Sequence, residues 1–384
     1  MNAVSAESAH TMRAAAGPPD WPRLQPGEIE SILTAWGLPA AGMQVRWHSP
    51  RPLSAAAIID LPDGPLFVKR HHRSVRMAAE LEEEHRFIAH LHGRGALVSR
   101  VLPTAAGGTA QTHGDWTYEL QTLGSGIDLY RDAVSWSPFE TAHHAVAAGQ
   151  ALARLHRAAR DYHAPPRAAH MLVSNDRIIR STHPLAVVRG LLGQRPGLKS
   201  YLDGRNWEDD LARALEPFHS RFLEAWADHT PLWTHNDWHA SNLLWSNAGG
   251  EATVSTVLDF GLCDRTSAIY DLATAIERNT IPWLDIHDGS PGSADLSLVT
   301  ALLTGYLGET RLGARERAAL PAVLPLVHVG YAITEIEYFR GITHSDANAD
   351  LAYDAFLLGH CRWFTSAAGR DLLAHIRSEL ERLP

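Results

Sequence analysis

Cysteine is nearly absent. Cys263 and Cys361 are the only two in 384 residues, which excludes a disulfide framework and a cysteine-ligated zinc site. Both fall in segments that read as ordered, so they are expected to be small buried hydrophobes. A basic excess is missing too. The formal net charge is −9, which argues against a nucleic-acid binder relying on a basic surface. The longest apolar run, Ala318 to Ile333, is broken by Pro321, Pro325 and His328, so no membrane span is expected. The first twenty residues are rich in Ala, Ser, Gly and Pro without the apolar stretch of a secretory signal, and read as a flexible tail. There is no internal repeat. With 45% hydrophobic and 20% charged residues, the expectation is an ordinary globular, cytoplasmic protein long enough for two lobes.

Near the start, the spacing predicts strands at 43–47, 54–61 and 66–69. The turn Pro62-Asp63-Gly64-Pro65 joins the last two. A helix is expected over 75–92, with Met77, Leu81, Ile88 and Leu91 on one face. Two more strands are expected at 98–102 and 116–121. Leu123-Gly124-Ser125-Gly126 then breaks the pattern. Beyond it the chain reads as mainly helical, at 145–158, 207–227, 267–279, 296–307, 315–340 and 349–379. A strand pair, 242–245 and 253–260, interrupts this, joined by the turn Ser246-Asn247-Ala248-Gly249-Gly250.

That strand pair carries the chemistry. His235-Asn236-Asp237-Trp238-His239-Ala240-Ser241-Asn242 precedes it and Asp259-Phe260-Gly261 ends it. Phosphoryl transfer from a nucleotide needs a carboxylate to orient the attacking hydroxyl and hard oxygen ligands for Mg²⁺ on the phosphates. Asp237 is the candidate base. Asn242 and Asp259 sit at neighbouring ends of two paired strands, as candidate magnesium ligands must. Lys69, at a strand end, suits the α/β-phosphates. Glu84 falls inside the apolar helix stripe, where an unpaired carboxylate is costly, so a Lys69–Glu84 ion pair is expected. His235 is expected to hold the loop by bonding backbone or Asp259. Asp271, in the first turn of a helix, is expected to accept backbone N–H groups of the same loop. A competing reading makes His235, Asp237 and His239 the metal ligands of a hydrolase. It leaves Asn242, Asp259, Lys69 and Glu84 without roles.

These residues resemble the aminoglycoside phosphotransferase and choline kinase-like group of small-molecule kinases. Gly149-Gln150-Ala151-Leu152-Ala153-Arg154-Leu155-His156 is similar to the group's G-x-x-L-A-x-L-H helix. Thr234 to Leu244 resembles its H-G-D-x-H-x-x-N-x-L loop, with Asn236 where many relatives have Gly. Val257 to Ala273 resembles its I-D-F-G…Y-D-L-A block, with Leu262 in place of a frequent acid. The resemblance implies an α+β, bilobal protein kinase-like fold. A nucleotide-binding lobe would cover 21–123, with an antiparallel sheet and one helix, and a mainly helical catalytic and substrate lobe would cover 124–384. It also implies ATP or GTP and Mg²⁺ as cofactors, with backbone groups at Gln121 and Leu123 meeting the base. No G-x-G-x-x-G lies between the first strands. The corresponding loop, His48 to Ser54, offers Ser49 and Ser54 to phosphate, while its two prolines remove donors.

The implied reaction moves the nucleotide γ-phosphate to a hydroxyl of a small metabolite or aminoglycoside-like compound. Trp238 is a candidate wall of the acceptor site. Tyr331, Glu335 and Tyr338, spaced by four and three, form a candidate face for an ammonium group. A protein Ser/Thr kinase of the same fold is a second reading, weakened because Tyr270 follows Gly261 too closely for a long activation segment. A non-catalytic nucleotide-binding protein is a third.

Overall fold

The computed structural model describes residues 19–227, 229–249, 251–290 and 292–383. Most of the expected tail, up to residue 18, lies outside these. The N-terminal part is a five-stranded antiparallel sheet in the order β1-β2-β3-β5-β4. Its strands are β1 Gln44–His48, β2 Ala55–Leu61, β3 Gly64–His72, β4 Gln111–His113 and β5 Trp116–Thr122. The β2–β3 turn is tight. Leu61 pairs with Gly64, leaving Pro62 and Asp63 at the tip, and Gly64 takes the φ of 123° that the turn requires. On the central strand β3, Val68 faces a small core with Ile59, Tyr118 and Leu120. Strand alternation turns the next residue, Lys69, to the other face, between Ala56 and Glu119.

Two expectations near the sheet are corrected. Residues 98–102 form no strand. They contribute only isolated bridges, Val98 to Val257 and Val101 to Gln121, and the fifth strand is β4. The helix begins at Ala78 and runs to Gly93, because Glu80 accepts from the Met77 N–H and fixes the start there. Its Phe87, Ile88 and Leu91 pack into the larger core of the helical part, so the two cores are not separated by chain order.

The remainder is mostly helical. Three long expected helices are broken at identifiable places. Pro217 divides 207–227 into Trp207–Leu215 and His219–Trp226. Pro325 converts the middle of 315–340 into a 3₁₀ turn, Leu324–Leu326, between Ala314–Val323 and Val329–Gly341. The stretch 349–379 contains a π-helix, Leu351–Gly359, and restarts at Ala367, where Ser366 caps the new helix by accepting from Gly369 N. By length and composition Ala314–Gly341 suffices to cross a bilayer, but its apolar window is wholly buried inside the protein.

Two small antiparallel ribbons complete the fold. β6 Leu232–Thr234 pairs with β9 Asp264–Thr266, and β7 Leu243–Trp245 with β8 Val254–Val257. The glycine-rich segment after β5 crosses the β7–β8 ribbon, where the Ser125 carbonyl accepts from Ser255 Oγ at 2.7 Å and Thr256 Oγ1 at 2.8 Å. Gly126 there has φ 119°, and a Cβ would strike Ser255 Oγ. Behind the sheet, Trp21 packs on both cores. It stacks on His72 at 5.0 Å, and its Nε1 donates to the Tyr338 hydroxyl at 3.1 Å, which itself donates to Asp20 at 2.9 Å.

The helices Ala142–Ala159 and Leu296–Glu309 cross in close contact. A Cβ on Gly149 would run into the Leu302 carbonyl and lie 2.8 Å from the Tyr306 nitrogen. The crossing therefore needs glycine. Gly149→Val is expected to lower stability by about 1–3 kcal/mol or more through overpacking, measured by urea unfolding. A loss below about 0.5 kcal/mol, the scale of ordinary surface substitutions, would mean the helices separate freely.

Candidate functional site

The site forms where three short pieces meet under the sheet. The first is the loop 235–242 after β6. The β7–β8 ladder fixes the second, since Leu258 N–H donates to the Asn242 carbonyl at 2.8 Å, bringing Asn242 and Asp259 side by side. The third is the buried helix Ala268–Thr280.

Asp271, one turn into that helix, accepts His235 N–H at 3.0 Å and Asn236 N–H at 2.8 Å, and faces His156 Nε2 at 3.0 Å. Asn236 is held with φ 61°, a left-handed conformation that Asn tolerates better than most residues. Its Oδ1 accepts from Thr234 and Thr266 hydroxyls at 2.8 and 3.0 Å. His235 is fully buried, with Nε2 donating to the Leu258 carbonyl at 2.8 Å and Nδ1 accepting from Asp237 N at 3.2 Å. Both ring nitrogens are engaged with backbone, which removes it as a metal ligand beside Asp237 and with it the hydrolase triad. His239 lies 3.6 Å from Asp237 Oδ1. Burial, aided by the charge of Arg51, pushes it down to about 3, so it is neutral.

Asp237 itself pairs with Arg278 through Oδ1 and accepts from Asn242 Nδ2 at 3.0 Å through Oδ2. Arg278 lies seven residues after Asp271, on the same helix face. That spacing was the available signal, and motif reading passed over it. The next residue, Asn279, clamps the loop by accepting from Ala240 N at 2.9 Å and donating to the Trp238 carbonyl at 2.8 Å.

The expected Lys69–Glu84 ion pair is corrected. Lys69 Nζ reaches Asp259 Oδ1 at 3.0 Å. Glu84, buried, pairs with the fully buried Arg167 at 3.4 Å. Arg167 came from a stretch without readable periodicity, so the sequence offered no partner but Lys69. The neighbours of Glu84, Glu82 and Glu83, accept from Thr109 N and Ala168 N. The acid opposite Lys69 on the sheet is Glu119, which bonds His71 and His85 at 3.3 and 2.7 Å. Desolvation opposes the Lys69 charge, but Asp259, Glu119 and Glu84 together raise its pKa. Burial pushes the Asp259 carboxyl up; Lys69 and the Gly261 N–H more than reverse this and hold it at about 2. Gly261 O in turn accepts from Arg76 at 3.1 Å and Arg167 at 3.0 Å. Asp259 is also left-handed, as are Trp136 and Leu172 nearby.

Two cavities open on these groups. The larger, about 520 Å³, is lined by Ser49, Ser54, Lys69, Gln121 and Leu123 as well as Asn242 and Asp259. The smaller, about 140 Å³, is lined by Asp237, His239, Trp136, Tyr331 and Glu335. Trp238 and Tyr338 line neither. Trp238 is buried edge-on to His235, and Tyr338 turns away toward Trp21. Asp285 and His287 sit on a short helix, Trp283–His287, away from both cavities.

A profile of the Phosphotransferase enzyme family, APH, matches residues 54–320. No curated protein matches the chain. Among solved structures, an ethanolamine kinase from Plasmodium vivax is 11% identical, covering 90% of this chain and 89% of its own with a TM-score of 0.60. A microcompartment-associated aminopropanol kinase is 18% identical over 91% and 100%, with a TM-score of 0.57. An aminoglycoside phosphotransferase from Alicyclobacillus acidocaldarius is 15% identical over 94% and 98%, with a TM-score of 0.53. At these identities the likeness establishes a shared fold, the protein kinase-like arrangement expected above.

The electrostatics give a testable sign. Burial pushes Glu335 up to about 8, against the pull of Tyr331 and Arg278. Between the ordinary value of 4.5 and 8 the folded protein keeps a proton that the unfolded chain releases. Stability from this group is therefore full below the ordinary value and falls as pH rises through the window. Glu277, pushed by burial to about 8, acts in the same sense. Glu335→Gln is expected to flatten part of the decline in melts from pH 5 to 8; an unchanged slope would mean Glu335 is ionised throughout.

Proposed function

The chain belongs to the phosphotransferase enzyme family, and from that membership we propose that it is a Mg²⁺-dependent kinase. It moves the γ-phosphate of ATP, or GTP, to a hydroxyl of a small metabolite or aminoglycoside-like compound. The observation that carries the reading is convergence. Lys69, Asn242 and Asp259 line both cavities, and Asp237 lines the smaller one.

In this reading the larger cavity holds the nucleotide, with Gln121 and Leu123 toward the base and Ser49 and Ser54 toward the phosphates. Its volume suits a ligand of that size. Asn242 and Asp259 would hold the metal, and the donor set fits: an amide oxygen, left over when Nδ2 bonds Asp237, and a carboxylate kept anionic. Such ligands are what a hard cation takes, and Mg²⁺ when bound neutralises charge on the phosphates. Lys69 supplies a fixed positive charge beside them. Glu84 supports Lys69 only at a distance.

Asp237 accepts a hydrogen bond from the acceptor hydroxyl and aligns it. The hydroxyl oxygen forms the new P–O bond, the bond to the leaving nucleotide diphosphate breaks, and the proton passes to Asp237. Arg278 and Asn242 fix the carboxylate for this. His235 and Asp271 act through the loop backbone. The small inner cavity favours compact acceptors. Tyr331 and Glu335 face it and are the retained candidates for acceptor contact. A peptide acceptor fits less well, because the chain passes from Gly261 directly into β9 and the helix capped by Ser267.

Asp237→Ala is expected to lower turnover by at least about 10²-fold, the scale of a lost general base, while nucleotide affinity stays near wild type. Nucleotide consumption screened across amino alcohols, sugars, aminoglycosides and hydroxy amino acids supplies the assay. Undiminished turnover in the variant would refute the base. Asp259→Ala is expected to abolish the magnesium dependence of nucleotide binding; binding that still rises with magnesium would refute the metal assignment.

A further inference from the structure

The β1–β2 loop lines the junction of the two cavities, and the backbone of its first half has no N–H to offer an anion. Ser49 N–H is spent on the Ala56 carbonyl at 2.9 Å. Arg51 N–H is spent on Ser49 Oγ at 3.2 Å. Pro50 and Pro52 have no N–H. From Ser49 to Pro52 no amide is left to face a phosphate.

What the loop delivers instead is a guanidinium. Arg51 lines both cavities, a position it shares only with Ser54, Lys69, Asn242 and Asp259 among the described residues. Its charge acts on both sides of the junction, lowering His239 beside the base and being drawn by Asp128 and then Asp259 on the side of the larger cavity. Its hydrogen-bond partners are neutral: Ser135 Oγ at 2.7 Å and the Ala133 carbonyl at 3.4 Å. No ion pair holds it among the described residues. A guanidinium carries five donors in a planar fork suited to phosphate oxygens, and neutral partners yield readily to an anionic one.

We propose that Arg51 binds the γ-phosphoryl group at the junction of the cavities, supplying by side chain what a glycine-rich loop supplies by backbone amides. The proposal rests on the phosphotransfer reading above and adds to it the means by which the terminal phosphate is held. Because the junction also borders the cavity that holds Asp237, the contact is expected to fall on the phosphate that is transferred.

The test is the ratio of ATP to ADP affinity, measured by calorimetry with Mg²⁺ on the full chain. Arg51→Ala is expected to weaken ATP by roughly ten- to hundredfold, the range of a lost charge-assisted hydrogen bond, and ADP by far less. Ser135→Ala, which removes the present partner and keeps the guanidinium, is expected to leave the ratio at the wild-type value. Arg51→Lys keeps the charge without the fork, and its ratio should fall between the two; it decides the matter should the alanine variant fail to fold. Equal losses for both nucleotides, an unchanged ratio, or a Ser135→Ala variant that copies Arg51→Ala would each overturn the assignment and leave Arg51 a latch across the cleft. Wild-type protein that binds neither nucleotide would instead remove the phosphotransfer reading itself.

Discussion

The buried carboxylate of Asp271 accepts two consecutive backbone N–H groups, from His235 and Asn236, and faces His156. Consecutive amides can point at one carboxylate only if the chain turns sharply, and the left-handed Asn236 makes that turn. The conformation costs about 1–3 kcal/mol. Each hydrogen bond to the charged group returns about 1.5–3 kcal/mol, so the bonds outweigh the strain. The result is that the next residue, Asp237, emerges at a fixed angle toward the inner cavity. Arg278 and Asn242 then hold the carboxylate that this turn presents.

The same helix continues the work. Asp271, Arg278 and Asn279 all face the 235–242 loop, gripping its backbone at one end, the Asp237 carboxylate in the middle and the Trp238 carbonyl at the other. Between them sits Glu277, which turns to the opposite side and bonds His360 Nδ1 at 2.7 Å. A second set of buried cations fixes the companion segment. Arg76 and Arg167 both donate to Gly261 O, and Arg167 reaches Glu84 on the helix beneath the sheet. The sheet and the 259–261 turn are thus joined by charge as well as by the Lys69–Asp259 contact.

Much of this was legible beforehand because its signals are local. The turn at Pro62-Asp63, the strand alternation that turns Lys69 inward, and the hairpin that unites Asn242 with Asp259 depend on neighbours in sequence. What escaped depends on pairing across long stretches. Glu84 demanded a cation, and its stripe position said so. The sequence had no way to announce that the cation is Arg167, in a segment without periodicity, rather than Lys69. Trp238 looked like a wall because it adjoins Asp237, but the turn that aims Asp237 into the cavity sends its neighbour into the core. Tyr338 shares a helix face with Glu335 on paper. In the structure the helix is rotated so that Glu335 meets the cavity and Tyr338 meets Trp21.

That last contact bears on how the molecule can move. Trp21 stacks on the sheet through His72 and bonds the helical part through Tyr338, and none of the three lines either cavity. The chain thus fastens the sheet to the helical part before it enters either one. While those bonds hold, the two parts cannot separate there, so any widening of the cavities falls on the contacts that cross beside them, Lys69 to Asp259 and Arg51 to Ser135.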